Sequence, residues 1–375
     1  MIKNRFGRSE WAGAFGDLGV LIPFVVGYIS ITKMDPLGIL IAFGVFLIAA
    51  GLYYRTPFPV QPMKIIGGAA LTQATIITPN AIWSAGLFTG TFWLLIGLSG
   101  TLTYISKIVS KPIIRGIVFG LGISFMLNGL NMMRTDILIA AIALVATLLL
   151  LENRYIPAMF ALLILGVAVT LIQNPNLGQE LLSVRPHLRL PEFSLIMPTW
   201  NELATGIFIL ALPQIPLSLG NAVIAVTAEN NRLFPERPVT EKQTAVFQGI
   251  MNILVPFYGG IPMCHGAGGM AAHVRFGART GGAVVILGAC LLVLGLLFSS
   301  SVLLLFSMIH LCVLGVMMFF AGLELAMSVH DADIERKDFF VLLITAGFSL
   351  WNVAAGLLVG LIVQEMIKRN LFKLW

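Results

Sequence analysis

Between Thr56 and Pro62 the chain places three prolines, Pro57, Pro59 and Pro62, at the mouth of an apolar run that continues through Met63-Lys64-Ile65-Ile66-Gly67-Gly68 to about Ile77. Proline lacks the backbone N–H and fixes φ, and it pushes the residue before it towards an extended conformation. Residues 56–61 are therefore predicted to be extended, with helix starting near Pro62, a favourable first-turn residue. The helix that remains, Met63 to Ile77, is about 15 residues or roughly 22 Å long, short of a ~30 Å hydrocarbon core. A second stretch, Gly259-Gly260-Ile261-Pro262-Met263-Cys264-His265-Gly266-Ala267-Gly268-Gly269-Met270-Ala271-Ala272, repeats the design. An extended entry into a half-length helix is tolerated at membrane depth only where it lines a cavity or is buried in protein. The start of such a helix exposes free N–H groups and the positive end of a dipole, and both favour an anion. Two broken helices facing each other across one anion site are the expectation.

Composition supplies the membrane that this reading needs. The chain is 58% hydrophobic and 11% charged, with mean hydropathy +0.94; soluble domains carry about 25% charged residues. An all-α polytopic membrane protein is expected. The apolar segment from Trp11 to about Ser30 lacks a clear small-residue cleavage site and is followed by many more, so it reads as a retained helix. Spans are expected near 12–31, 36–53, 57–77 (broken), 81–104, 112–130, 135–151 and 155–172. Further spans follow near 200–219 with a continuation over 221–228, 243–257, 261–275 (broken), 281–298 and 302–322, and two short helices share 338–367, turning near Trp351-Asn352. A polar loop from Gln173 to Met197, rich in proline, reads as a linker.

Fourteen segments put both termini on one side. On that side fall about 18 of the 23 Lys and Arg residues; Lys33, Arg134, Arg185 and Arg189 fall opposite, and Lys64 is embedded. The positive-inside rule then predicts a multi-pass cell-membrane protein with both termini cytoplasmic. The formal charge of +6 reads as a topology signal, and with no soluble basic domain to carry it nucleic-acid binding is not expected. Cys264, Cys290 and Cys312 lie in apolar surroundings and suggest neither a disulfide framework nor a metal site, and no cofactor is expected.

Segments 1–7 and 8–14 run in the same order. Each half opens with a helix interrupted by proline and polar residues, Gly16-Asp17-Leu18-Gly19-Val20-Leu21-Ile22-Pro23 in the first and Leu212-Pro213-Gln214-Ile215-Pro216-Leu217-Ser218-Leu219-Gly220-Asn221 in the second. Each half then places its broken segment third. Seven is odd, so the halves are inverted, and matched interruptions in inverted halves point to a transporter site at the midplane.

Gly16-Asp17-Leu18-Gly19, Pro59-Val60-Gln61-Pro62-Met63-Lys64, the run from Pro213 to Asn221, and Pro262-Met263-Cys264-His265-Gly266-Ala267-Gly268-Gly269 together resemble the signatures of the molybdate-transporter branch of the sulfate permease superfamily. The resemblance covers nearly the whole chain. It implies the seven-plus-seven inverted-repeat fold shared with nucleobase transporters, with a core domain (1–106 and 199–299), a gate domain (107–172 and 300–375) and a linker at 173–198. It also implies a homodimer, and no regulatory domain after the last helix, unlike ordinary sulfate permeases.

The substrate so implied, molybdate, is a tetrahedral dianion, and burying it demands several N–H or O–H donors and compensation for two charges. The expected binding set is Gln61, Pro62, Met63, Lys64, Gln214, Cys264, His265, Gly266, Ala267 and Gly268. Backbone N–H groups of Met63, Lys64, His265, Gly266, Ala267 and Gly268 are the candidate donors. The glycines either let backbone approach the oxyanion or simply allow close helix packing. Gln61 either donates to the anion or satisfies backbone freed by its proline neighbours. Gln214 is the neutral second-half counterpart of Asp17, able to donate to the substrate. Lys64 either offsets anion charge, pairs with Asp17, or reaches to the interface. His265 either donates to the anion and carries a proton, or bonds a backbone carbonyl. Cys264 reads as a packing residue within the site. Asp17 is a partner for Lys64, a protonatable coupling group, or a cap for the unwound stretch.

Asp17, Lys64 and His265 are the coupling candidates. Asn221, Gln248 and Asn252 line the cavity or bond helix to helix; Asn128 and Asn131 are expected to do the latter, and Glu324 to sit in an ion pair or interface on the gate side. Sulfate or bicarbonate transport would use the same scaffold. A nucleobase carrier would want carboxylates facing its heterocycle, and an enzyme would need a paired acid and base that His265 and His273 do not provide.

Overall fold

Proline and glycine decide where the helices break. The structure, a computed structural model, describes residues 3–72, 77–102, 110–150, 158–194, 196–327, 329, 334–369 and 371. The chain begins with α1 (Arg8–Ala14) and α2 (Leu18–Ile31), followed by α3 (Pro36–Tyr54). The extended pair β1 (Gln61–Pro62) leads into α4 (Lys64–Thr72), then α5 (Pro79–Ser99), α6 (Lys111–Met133), α7 (Ile137–Leu150), α8 (Ala158–Gln173) and α9 (Pro175–Ser183). The remainder holds α10 (Trp200–Leu233), α11 (Glu241–Leu254), β2 (Met263–Cys264), α12 (Ala267–Arg275), α13 (Gly282–Phe298), α14 (Val302–Ser307), α15 (Leu311–Met327), α16 (Arg336–Trp351) and α17 (Val353–Lys368).

Among the described residues five helices are long and apolar enough to cross a membrane: Pro36–Tyr54, Pro79–Ser99, Lys111–Met133, Trp200–Leu233 and Gly282–Ser301. Within α2, α7 and α15 lie shorter apolar stretches. The protein is a mainly helical, multi-pass membrane protein.

The interruption expected in the first span from Gly16 onward is present: the helix breaks at Phe15-Gly16-Asp17, where Gly16 abuts α12 and a Cβ would lie 2.7 Å from the Ala272 carbonyl oxygen. Several other boundaries depart from expectation for physical reasons. The interruption expected at Pro213 and Pro216 does not stop α10. Widened π-type turns over Thr205–Ala211 and Ser218–Ala225 flank the prolines and keep the helix continuous to Leu233. The predicted linker contains α9, which starts at Pro175 and is bent 109° from the end of α8; proline is favourable in a first turn, so it opens a helix here. Helix α5 ends at Ser99, earlier than expected, with Gly100 at φ 73 as its left-handed cap. The span predicted at 302–322 divides into α14 and α15. The turn expected near Trp351-Asn352 is present, with the Asn352 side chain accepting from Ala355 N. The expected ends at 104 and 155 fall outside the described residues, as does the side chain of Glu324. Asn128 and Asn131 make no side-chain hydrogen bond among the described residues, and Asn131 is exposed.

Helices pack in close pairs: α3 along α13, α5 along α11, and α6 against both α15 and α16. Glycines make these approaches possible, as expected where apolar side chains gain nothing by leaving lipid and van der Waals contact holds helices together. A Cβ on Gly288 of α13 would stand 2.7 Å from Gly44 O on α3. Gly288→Val should force the pair apart and cost about 1–3 kcal/mol, the usual range for overpacking. Thermal unfolding of the detergent-purified protein reads this as a lowered midpoint, and an unchanged midpoint would show that the contact yields freely.

Candidate functional site

Three prolines hold residues 56–62 out of helix, and the backbone so exposed finds its partner about two hundred residues away. β1 and β2 pair antiparallel, with Gln61 opposite Cys264 and Pro62 opposite Met263. Met63 N donates to Pro262 O at 3.0 Å. On the other side of β2 the Asn252 side chain takes the place of a neighbouring strand: its Nδ2 donates to Met263 O at 2.6 Å and its Oδ1 accepts from Met263 N at 2.8 Å. Helix α4 starts at Lys64 and α12 at Ala267, immediately beyond the pair, so the two half-helix starts lie side by side.

Those starts are not equivalent. In α4 the Ile65 N–H is capped by Gln214 Oε1 at 2.9 Å, and Gln214 Nε2 donates in turn to Ser218 Oγ at 3.0 Å. Gln214 was expected to donate to a ligand; both ends of its amide are instead used within the protein. Gly266, ahead of α12, is extended and provides no side-chain cap. The first N–H groups of α12 therefore point out of the helix without an intrahelical partner. Gln61, Pro62, Met63, Gln214, Cys264, His265 and Gly266 are buried, whereas Lys64, Ala267, Gly268, Gly220 and Asn221 keep access to solvent. A Cβ on Gly268 would meet nothing within 4 Å. Of the accessible residues, Asn221 lies beside the residue before α12: a Cβ on Gly266 would be 3.3 Å from Asn221 Nδ2.

Other expected donors are engaged. The Met63 amide is spent on Pro262 O. Gln61 Nε2 lies 2.7 and 2.8 Å from the two carboxylate oxygens of Asp17. Asp17 thus takes Gln61 as its partner, and its carboxylate does not cap α2. Lys64 makes no hydrogen bond or ion pair among the described residues, but Lys64 and Asp17 are both close enough to Cys264 to act on it electrostatically. His265 Nδ1 is 2.7 Å from Pro59 O, so it carries the hydrogen and donates, leaving Nε2 as a buried acceptor with no partner among the described residues. The ring stands edge-on to Phe58, centroids 4.9 Å apart. Cys264 packs with its Sγ 3.6 Å from Pro62 O.

Of the three glycines only Gly268 faces open space. Gly266 and Gly269 lie against Gln61 and Asp17, where a Cβ would come within 2.3 Å of Gln61 Oε1 and 2.5 Å of Gln61 Nε2 respectively. Two buried residues have places in the fold that the sequence did not assign. His273 Nδ1 is 2.7 Å from Gly13 O and ties α12 to α1, and Tyr28 is fully buried with no partner for its hydroxyl among the described residues. Polar or ionisable groups inside apolar segments were the available signal.

A family profile described as "Molybdate transporter of MFS superfamily" matches residues 9–125 and 206–325, more than half of the chain. The chain belongs to the molybdate transporter family. Molybdate transporter 2 of Arabidopsis thaliana is 31% identical over 405 residues, covering 95% of this chain and 86% of the relative. Molybdate transporter 1 of Chlamydomonas reinhardtii is 27% identical over 473 residues, covering 94% and 90%. Among solved structures, the transmembrane domain of the cyanobacterial bicarbonate transporter BicA superposes with TM-score 0.66 at 15% identity, covering 96% of this chain and 98% of that one. Murine Solute Carrier 26 family member A9, an anion transporter in its inward-facing state, gives 0.70 at 12% identity, covering 100% and 70%. The profile's description attaches the family to the MFS superfamily; the fold is that of BicA and the Solute Carrier 26 protein. Members of the family are transporters, not enzymes.

The Gln214 cap is open to test. Gln214→Leu removes the acceptor for the buried Ile65 N–H and should cost about 1–3 kcal/mol, the penalty for orphaning such a group. Circular dichroism melting in detergent checks it; a midpoint equal to wild type would mean that another acceptor replaces the amide.

Proposed function

We propose that the chain is a secondary active transporter of molybdate that works by alternating access, with the anion bound over the paired half-helix starts. The observation that carries this reading is the antiparallel pairing of Gln61-Pro62 with Met263-Cys264, which sets two half-helix starts side by side in a member of the molybdate transporter family. The α12 start offers the N–H groups of Gly266, Ala267 and Gly268 and the positive end of its dipole. Lys64 adds a full positive charge, and the Asn221 side chain a neutral donor. His265 and Gln214 act one step back, fixing the extended entry and the α4 start.

The fourteen segments form two inverted sets of seven. Residues 1–106 and 199–299 make the core that carries the anion, 107–172 and 300–375 make the gate, and 173–198 link the halves. The pairing of α3 with α13 and of α5 with α11 supports the first grouping, and that of α6 with α15 and α16 supports the second. Both termini lie in the cytoplasm, and the protein works in the cell membrane as a homodimer. Moving a dianion against an inside-negative potential costs about 2.3 kcal/mol per charge per 100 mV, so uptake requires coupled cations. Protons are the coupling ion of this proposal, with Asp17, Lys64 and His265 as the groups that handle them.

Uptake of radiolabelled molybdate into proteoliposomes tests the reading. Saturable uptake competed strongly by tungstate and weakly by sulfate is expected; uptake competed equally by sulfate or bicarbonate would move the substrate class, and none at all would end the proposal. Uptake indifferent to both pH and Na⁺ gradients would rule out coupling. Lys64→Gln should weaken molybdate binding by about tenfold, roughly 1.4 kcal/mol; unchanged affinity by isothermal titration would remove Lys64 from the site.

A further inference from the structure

The side chain of Gln61 is 1% exposed, and its amide is held in one sense. Nε2 faces both oxygens of Asp17, at 2.7 and 2.8 Å. A carboxylate only accepts, so the NH₂ end must face it and Oε1 must face away. That Oε1 is buried and has no partner among the described residues. It is aimed at the residue before α12: a Cβ on Gly266 would lie 2.3 Å from it and 3.3 Å from Asn221 Nδ2. On the other side, a Cβ on Gly269 would be 2.5 Å from Gln61 Nε2 and 2.7 Å from Asp17 Oδ2. The Asp17–Gln61 pair is thus wedged beneath the first turn of α12. An orphan carbonyl oxygen there has the wrong polarity for an oxyanion, since acceptor would face acceptor, and leaving it unpaired costs about 1–3 kcal/mol.

We propose that Asp17 and Gln61 form a proton-controlled polarity switch for the anion site, Gln61 being the positioning residue that reads the charge of Asp17. The inference rests on the anion site proposed above. With Asp17 ionised, Gln61 is locked acceptor-outward and the site disfavours a tetrahedral dianion. When Asp17 takes one proton from water onto a carboxylate oxygen, the new O–H donates to Gln61 Oε1 once the amide has turned half a revolution about its last torsion. The NH₂ group then occupies the place beside Gly266 and donates towards the anion. One O–H bond forms and nothing is oxidised or reduced. The site gains a donor and loses a negative charge, so proton and anion enter together and leave together. Amide oxygen and nitrogen are nearly equal in size, so the reversal needs no new space.

Other titratable groups surround the pair. Lys64 at the α4 start and Asp17 itself act electrostatically on Cys264 of β2, and Cys264 in turn acts on Tyr28 of α2. His265 and His273 are fixed through Nδ1 to Pro59 O and Gly13 O. Among the hydrogen bonds that fix the Gln61 amide, Asp17 supplies the titratable partner.

Binding of radiolabelled molybdate to the full-length protein in detergent, across about pH 6 to 9, tests the switch. Wild-type affinity should fall with rising pH, approaching about tenfold per unit for one proton taken up per anion. Asp17→Asn, whose carboxamide stands in for the protonated acid, should flatten this profile near the low-pH affinity. Gln61→Leu should bind weakly throughout and also lose the slope. A wild-type slope retained in Asp17→Asn would overturn the switch. Infrared difference spectra of the wild type give a readout independent of any variant: adding molybdate should produce a protonated-carboxyl carbonyl band, and its absence would also overturn the proposal. Wild-type binding with a flat pH profile sinks the switch alone, whereas wild type that binds no molybdate, tungstate or sulfate at any pH removes the anion site and the switch with it.

Discussion

A backbone amide inside a bilayer has no water to turn to, and every break in a membrane helix must therefore bring its own partners. This constraint organises the centre of the molecule. Two extended entries satisfy one another through the β1–β2 pairing. What the pairing leaves over is taken by side chains: Asn252 serves both backbone groups of Met263, Gln214 serves Ile65, and His265 serves Pro59. Several polar residues that look like ligand contacts in a sequence are thus structural necessities. Among these backbone groups the α12 start stands out as open, because Gly266 provides no cap and Gly268 faces space.

Glycine does two different jobs here. Along α3 and α13, and between α6 and α15, it lets helix backbones touch where apolar side chains gain nothing by leaving lipid. In the turn before α12 it makes room for the side chains of another element, and Gly266 and Gly269 are small so that Gln61 and Asp17 can lie beneath them. The packing explanation thus holds along the helix pairs, while Gly266 and Gly269 give way to side chains and not to helix backbone.

Much of the fold was legible in the sequence because hydropathy and proline act locally. The extended stretch at 56–62, the helix restart beside Pro62 and the turn at Asn352 all follow from rules that reach only a few residues. What could not be read depends on partners distant in the chain. Nothing local says that Gln61 lies opposite Cys264, so nothing local says that its amide meets Asp17. Pairing by opposite charge pointed from Asp17 to Lys64, yet packing put a neutral amide closer. Pro213 and Pro216 read as breakers because the rule assumes α-type turns; wider turns on either side absorbed them. Pro175 read as loop although it opens a helix.

The ties that complete the centre join early residues to late ones. Pro59, Ile65, Gly13 and the backbone of β1 all wait for groups at Gln214, Pro262, His265 and His273. During synthesis the first half enters the bilayer with these groups unmet, and the ribosome must add some two hundred further residues before they close. The nascent protein thus passes through a long interval in which its most polar interior depends on the insertion machinery for shelter, and a chain cut anywhere before β2 leaves a membrane fragment with an unsatisfied core that quality-control proteases can recognise.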